Sequence, residues 1–273
     1  MSSSPGETSG RTASLAMQGI GVRFGGLIAL EDVSLDVPAG RVVGIIGPNG
    51  AGKTTLFNVV CGFVKPTSGR ITLDGREITP RPERLTRMGI SRTLQGVGLF
   101  RGLTILENVM AGATHSAKAG FAAALFAMPW SDSDERRLRG EAQALLDEMG
   151  VAQYASAYPD VLPYALQKRV ALARALAAKP RLLLLDEPAG GLGHEDIDEL
   201  ATLVGSLTAR DEGACTVMLV EHHMDFVMKV CEEIVVLDFG RVIAKGTPQQ
   251  VRENPAVTEA YLGADVTPET VTP

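Results

Sequence analysis

The sequence predicts an α/β fold in which a parallel sheet with covering helices carries an inserted α-helical subdomain. Three observations predict it. V-V-G-I-I, within the stretch from Arg41 to Ile46, is an uninterrupted apolar run, the pattern of a parallel strand buried on both faces, and it leads straight into the glycine-rich G-P-N-G-A-G-K-T-T. Apolar strands return late in L-L-L-L-D, T-V-M-L-V-E and I-V-V-L-D, and between the first two Ile197, Leu200, Val204 and Leu207 fall on one helical face. Strand, helix and strand in that order imply parallel pairing through a crossover. Finally, the region from about Gly102 to Ala178 turns Ala- and Leu-rich with charged segments such as D-S-D-E-R-R-L-R-G-E, which reads as mostly helical.

In chain order, residues 1–14 open M-S-S-S-P-G-E-T-S-G-R-T, polar and without the apolar core of a signal peptide, and are expected to be a disordered, solvated leader. From Leu15 to about Asp74, short apolar stretches such as L-D-V and R-I-T-L-D are broken by Gly and Pro, the pattern of strands at a sheet edge. After the glycine-rich loop, Leu56, Val59 and Val60 recur at helical spacing. The core is therefore expected over about 15–100 and 179–246, the helical insertion over about 101–178 and a helical end over about 247–263. V-L-D-F-G-R-V-I-A predicts a hairpin turning at Gly240. The tail, 264–273, is expected to be flexible.

A chain of 273 residues, 45% hydrophobic and 21% charged, can bury a sizeable core. Its net charge of -6 disfavours nucleic acid as a partner, since such proteins gather an excess of Lys and Arg on one face. Cys61, Cys215 and Cys231 are odd in number and sit in apolar runs, as reduced core thiols of a cytosolic protein would. The longest membrane candidate, Phe121 to Trp130, falls far short of the roughly 18 to 20 apolar residues needed to cross a bilayer.

Gly47, Gly52, Lys53 and Thr54 match G-x-x-x-x-G-K-[ST], with Pro48, Asn49, Gly50 and Ala51 between them and Thr55 after. Backbone amides reach phosphate oxygens only where side chains do not intervene, and the following helix aims its positive end at them. Lys53 supplies a mobile cation for the β and γ phosphates, and the Thr54 hydroxyl is a hard ligand suited to Mg²⁺. The complementary half-site is an acid at the end of a neighbouring buried strand. Asp186 and Glu187, after four leucines, fit: Asp186 as a Mg²⁺ ligand through water, Glu187 as the general base for the attacking water.

Over about Leu15 to Gly263 this combination resembles the ABC ATPase family, which implies a P-loop NTPase (RecA-like) core with an N-terminal antiparallel β subdomain and an inserted α-helical subdomain, and ATP with Mg²⁺ as its ligands. Phe24, in G-V-R-F-G-G, is placed like the aromatic that stacks on adenine. Gln95, in S-R-T-L-Q, matches the glutamine that touches Mg²⁺ and the attacking water; Gly190 to Gly193 resembles the loop that meets the opposing subunit; His222, in V-E-H-H-M, matches the switch histidine at the γ-phosphate. L-T-I-L-E-N-V-M, V-E-H-H-M-D-F-V-M and N-P-A-V-T-E-A-Y-L-G are similar to ATP-binding subunits of branched-chain amino-acid-type importers, whose motors urea, amide and aromatic-acid importers share. The resemblance implies a peripheral subunit at the cytoplasmic face of the membrane. It pairs with a second ATPase, identical or related, works on transmembrane permease subunits and depends indirectly on a solute-binding protein. The alternatives are a nucleotide-binding scaffold with impaired hydrolysis and the motor of another importer or an exporter.

The signature position reads L-P-Y-A-L-Q-K-R from Leu162, where the family usually has L-S-G-G-Q. Pro163 suits the first turn of a helix and leaves its dipole facing the phosphate. Ala165 replaces a glycine. At negative φ its amide donor is kept with little strain; at positive φ it costs roughly 1 kcal/mol or more, weakening closure, so reduced but not absent ATPase activity is expected. Gly193 stands where Asp or Asn is common. His222 and His223, adjacent at a strand end, are expected to point in opposite directions, which disfavours a shared metal. His115 and His194 read as solvated loop residues, and Trp130 as a residue packed on a partner or under the helical insertion.

Overall fold

The computed structural model describes residues 12–93, 96–113, 132–210 and 214–264. Gln95, His115 and the stretch 121–130, with Trp130, lie outside them.

Residues 12–14, placed in the leader by the sequence reading, are tied to the body of the fold. Ala13 is fully buried and donates its amide to the Arg181 carbonyl, Ser14 N–H donates to Asp74, and Arg181 reaches the Thr12 carbonyl. Polarity of the preceding residues hid this anchor.

Two sheets follow. β1 (Leu15–Phe24), β2 (Leu27–Val37), β4 (Ser68–Leu73) and β5 (Arg76–Ile78) form an antiparallel sheet in the order β2-β1-β4-β5. Its apolar stretches are thus strands of a sheet of their own. The second sheet contains β3 (Val42–Ile46), β6 (Ile90–Arg92), β7 (Leu182–Asp186), β8 (Thr216–Val220), β9 (Glu233–Asp238) and β10 (Arg241–Gly246), in the order β10-β9-β3-β8-β7-β6. All its pairings are parallel except that of β9 with β10, the hairpin that turns at Phe239 and Gly240.

Strand periodicity divides the core in two. Val43, Ile45, Leu182, Leu184, Met218, Val220, Val235 and Leu237 face the antiparallel sheet and helix α1 (Lys53–Val60), packing with Leu15, Met17, Leu56 and Phe57. Their alternates Val42, Ile46, Leu183, Leu185, Val217, Leu219, Ile234 and Val236 face the helices of the other layer. Both faces of the central strands are apolar because both are covered.

Those helices include α2 (Ile105–Gly112), α3 (Asp132–Glu148), α4 (Tyr164–Leu176), α5 (His194–Ser206) and α6 (Met224–Val230). Helix α2 starts at a capping box between Thr104 and Glu107. Asn108, fully buried, ties the preceding segment to it: its amide accepts the Phe100 N–H at 2.8 Å and donates to the carbonyls of Phe100, Leu103 and Thr104. Leu138, Ala142, Leu146 and Met149 bury at helical spacing along and just beyond α3, while Arg137–Glu141 and Arg139–Glu135 pair on its wet face. In α5, Ile197, Leu200 and Val204 bury, with Leu207 at its end. His194 is exposed but opens this helix rather than lying in a loop. Helices α7 (Pro248–Arg252) and α8 (Pro255–Ala264) close the described chain. The three cysteines are free and buried, and burial pushes the thiols up, to about 11 for Cys61 and Cys215 and about 12 for Cys231. Among the described residues, no helix is long and apolar enough to cross a membrane.

Candidate active site

Parallel register assembles the site. Ile45 on β3 pairs with Val220 on β8, and Val220 pairs with Asp186 on β7. One edge of the sheet therefore carries the loop starting at Gly47, the acids Asp186 and Glu187, and His222.

The loop is glycine where geometry demands it. Gly47 has φ 150°, and a Cβ there would lie 2.1 Å from the Leu237 carbonyl oxygen; Gly52 has φ 100°, with the Ala29 carbonyl oxygen 2.8 Å from where its Cβ would be. Gly52 is the N-cap of α1 and supplies no side-chain cap, so the first-turn amides stay available to an anion. Lys53, the first helical residue, is buried and donates from Nζ to the carbonyls of Gly47 at 2.6 Å and Pro48 at 2.9 Å. Burial lowers its pKa, and the Glu187 charge opposes that shift. Thr54 is exposed in the first turn and Thr55 half-buried behind it.

Asp186 is buried at the end of β7. Its N–H donates to Thr93 Oγ1 at 3.3 Å, and Arg92 Nη2 lies 3.7 Å from its Oδ2. Burial raises its carboxyl above the usual range, Arg92 counteracts this, and Glu187 and Glu221 add to it. The Arg92 guanidinium sits over the rings of Phe57 and Phe63, 5.4 and 5.1 Å from their centroids, which fixes the cation beside this carboxylate. Glu187 follows in a left-handed conformation, φ 46°, with its N–H donated to the Val220 carbonyl at 2.9 Å and its side chain 39% exposed.

His222 Nδ1 stands 3.7 Å from Glu187 Oε1. The two adjacent histidines do not point in opposite directions: their ring centroids are 4.2 Å apart and both Nδ1 atoms face Glu221 Oε2, at 3.6 and 3.0 Å. The strand rule fails because β8 ends at Val220 and α6 begins at Met224, leaving both histidines in the connection. Glu221, which the motifs did not single out, is fully buried. Its Oε1 accepts the Ala189 N–H at 2.7 Å and its Oε2 the N–H groups of His222 and His223 at 2.7 and 3.0 Å. Glu221, His222 and His223 offer three ligand atoms within 4.8 Å of one another, but with Oε2 already taken by backbone amides the group is built as an internal bracket.

Phe24 ends β1 and is 51% exposed, across from Leu27 at the hairpin tip; two residues on, the Ala29 carbonyl abuts Gly52. Ala165 is the second residue of α4, whose N-cap is Pro163. Its right-handed helical backbone is the low-strain case. We therefore expect Ala165→Gly to lower stability by about 0.5–1 kcal/mol, the cost of glycine inside a helix, and to leave turnover within about twofold. Denaturant unfolding and phosphate release check both parts. A tenfold rise in turnover would show instead that the methyl obstructs function.

A glycine loop between a central parallel strand and a helix, with an acid pair at the neighbouring strand end, defines a P-loop nucleotide-binding protein. Residues 30–190 match the family described as ABC transporter, and residues 241–267 the one described as Branched-chain amino acid ATP-binding cassette transporter. The chain belongs to the ABC transporter family. It is 42% identical to the high-affinity branched-chain amino acid transport ATP-binding protein BraF of Pseudomonas aeruginosa and 40% identical to LivG, of the same description, from Salmonella typhimurium, in each case over 91% of this chain and 97% of the relative. Among solved structures, the ADP conformation of MJ1267, an ATP-binding cassette of an ABC transporter, superimposes with a TM-score of 0.79 at 30% identity, covering 92% of this chain and 99% of that one.

Proposed function

We propose that the chain is the ATP-hydrolysing motor of an importer for branched-chain amino acids or similar small polar solutes, seated at the cytoplasmic face of the membrane. The observation that carries the chemistry is the Ile45–Val220–Asp186 register, which sets phosphate cradle, acid pair and histidine on one edge. The solute class draws on the printed descriptions of BraF and LivG.

In this reading the amides from Gly47 to Thr55 and the Lys53 ammonium hold the triphosphate, with Phe24 as a stacking face for the base. Mg²⁺ suits the hydroxyl of Thr54 and the carboxylate of Asp186, both hard oxygens, and Asp186 is a buried acid that a cation would favour in its charged form. Bound there, the metal supplies charge neutralisation at the phosphates. Glu187 Oε accepts a proton from the attacking water, and His222, 3.7 Å away, orients toward the same space. Gln95 is assigned beside the water by family resemblance. The N-terminus of α4, with Ala165, faces a second ATPase subunit, so that ATP binding closes a pair and hydrolysis releases it, driving permease subunits supplied by a solute-binding protein.

The test is purification of the chain from its native membrane in mild detergent, followed by reconstitution of what co-purifies into vesicles with ATP on the motor side. Permease subunits and ATP-dependent uptake of leucine, isoleucine or valine are expected. Uptake confined to an unrelated solute class would overturn the solute assignment, and a chain that purifies alone would overturn the transporter role.

A further inference from the structure

The turn bearing Glu187 is held by residues the nucleotide motifs leave unexplained. Glu187 occupies a left-handed backbone region that is strained for a non-glycine residue, so its surroundings must enforce it. Its carbonyl accepts the Gly190 N–H at 3.1 Å and Lys168 Nζ at 2.9 Å, and the same ammonium donates to the Pro188 carbonyl at 2.8 Å. Glu221 grips the next amide, that of Ala189, from the opposite direction. A buried cation thus holds two consecutive carbonyls while a buried anion holds the following N–H.

Lys168 belongs to α4. One turn earlier on that helix, the Tyr164 ring lies under the Lys168 ammonium, 5.5 Å from it, and a Cβ at Gly191 would be 3.1 Å from that ring. Two side chains at i and i+4 of α4 therefore clasp the segment from Glu187 to Gly191. Lys168 is buried, and its burial lowers its pKa against the opposing charges of Glu221 and Glu187. An ammonium desolvated this far is retained where its hydrogen bonds are specific.

We propose that Lys168 is a positioning residue for Glu187, fixing the peptide from which the general base projects and so setting where its carboxylate meets the attacking water. It rests on the assignment of Glu187 as base made above. Lys168 touches neither nucleotide nor water in this scheme; its whole effect passes through the backbone of the turn.

The experiment measures steady-state ATP hydrolysis by the full chain carrying Lys168→Met, Lys168→Gln or Lys168→Arg, with Glu187→Gln alongside. A catalytic group displaced by about 1 Å costs up to about 10²-fold, so Lys168→Met is expected to lower kcat about ten- to a hundredfold while KM for ATP stays within about twofold. Lys168→Arg, which keeps a charge and two donors, should return kcat to within about threefold of the parent, and Lys168→Gln should fall between. Should Lys168→Met fail to fold, Lys168→Gln decides in its place. A kcat unchanged in the folded neutral variant, or kcat and KM worsening together without rescue by arginine, overturns the proposal. If Glu187→Gln keeps the parent turnover, the assignment of the base falls instead, whatever the lysine variants do.

Discussion

Glu187→Gln should abolish turnover while leaving nucleotide bound. Glutamine has the same shape, and the backbone hydrogen bonds to Val220 and Lys168 do not depend on the side chain, so the turn is kept. What disappears is the partly exposed carboxylate 3.7 Å from His222 that is assigned above as the proton acceptor. Loss of a general base is worth about 10²–10⁴-fold, so phosphate release should fall by about three orders of magnitude at unchanged affinity. Without hydrolysis a closed pair has no route to reopen. Size exclusion with ATP should show a dimer for the variant and a monomer for the parent at steady state. Turnover within about tenfold of the parent would remove Glu187 from the chemistry.

Lys53→Ala should act on binding. The ammonium holds the carbonyls of Gly47 and Pro48 in this structure and is the cation nearest the phosphate cradle. A hydrogen bond to a charged group is worth about 1.5–3 kcal/mol, so ATP affinity should drop about ten- to 150-fold for each one lost. Titration with a fluorescent ATP analogue measures it. Retention of full affinity and turnover would dismantle the proposed motor.

The phosphate loop was legible because Gly47, Gly52, Lys53 and Thr54 stand close together in the chain at a recognisable spacing and the positive φ of each glycine belongs to the turn, although the carbonyls of Leu237 and Ala29 that crowd the two glycines come from distant strands. Asp186 and Glu187 were legible because a four-leucine strand cannot be mistaken for an exposed one. Glu221 and Lys168 were not, since their partners lie 32 and about 20 residues away and only tertiary packing brings them together. Arg92 hid for the same reason, its partners Phe57, Phe63 and Asp186 coming from α1, the segment that follows it and β7. The side-by-side histidines were misread by carrying strand alternation past the end of β8, to residues two and three beyond Val220. Ala13 was lost in a polar leader because a single buried alanine makes no hydrophobic pattern.

The four leucines of β7 have a further consequence. Identical side chains supply no frame of their own: sliding the strand by one position would replace leucine with leucine in both halves of the core, at almost no hydrophobic cost. What cannot slide is the polar boundary. Advancing by one position would carry the Asp186 carboxylate into the place of Leu185, stranding a charge in hydrocarbon at a cost of several kcal/mol, and would part the Asp186 backbone N–H from Thr93 Oγ1. Asp186, proposed above to serve the nucleotide, thus also fixes the register of its strand, and a neutral replacement there is expected to loosen alignment as well as chemistry.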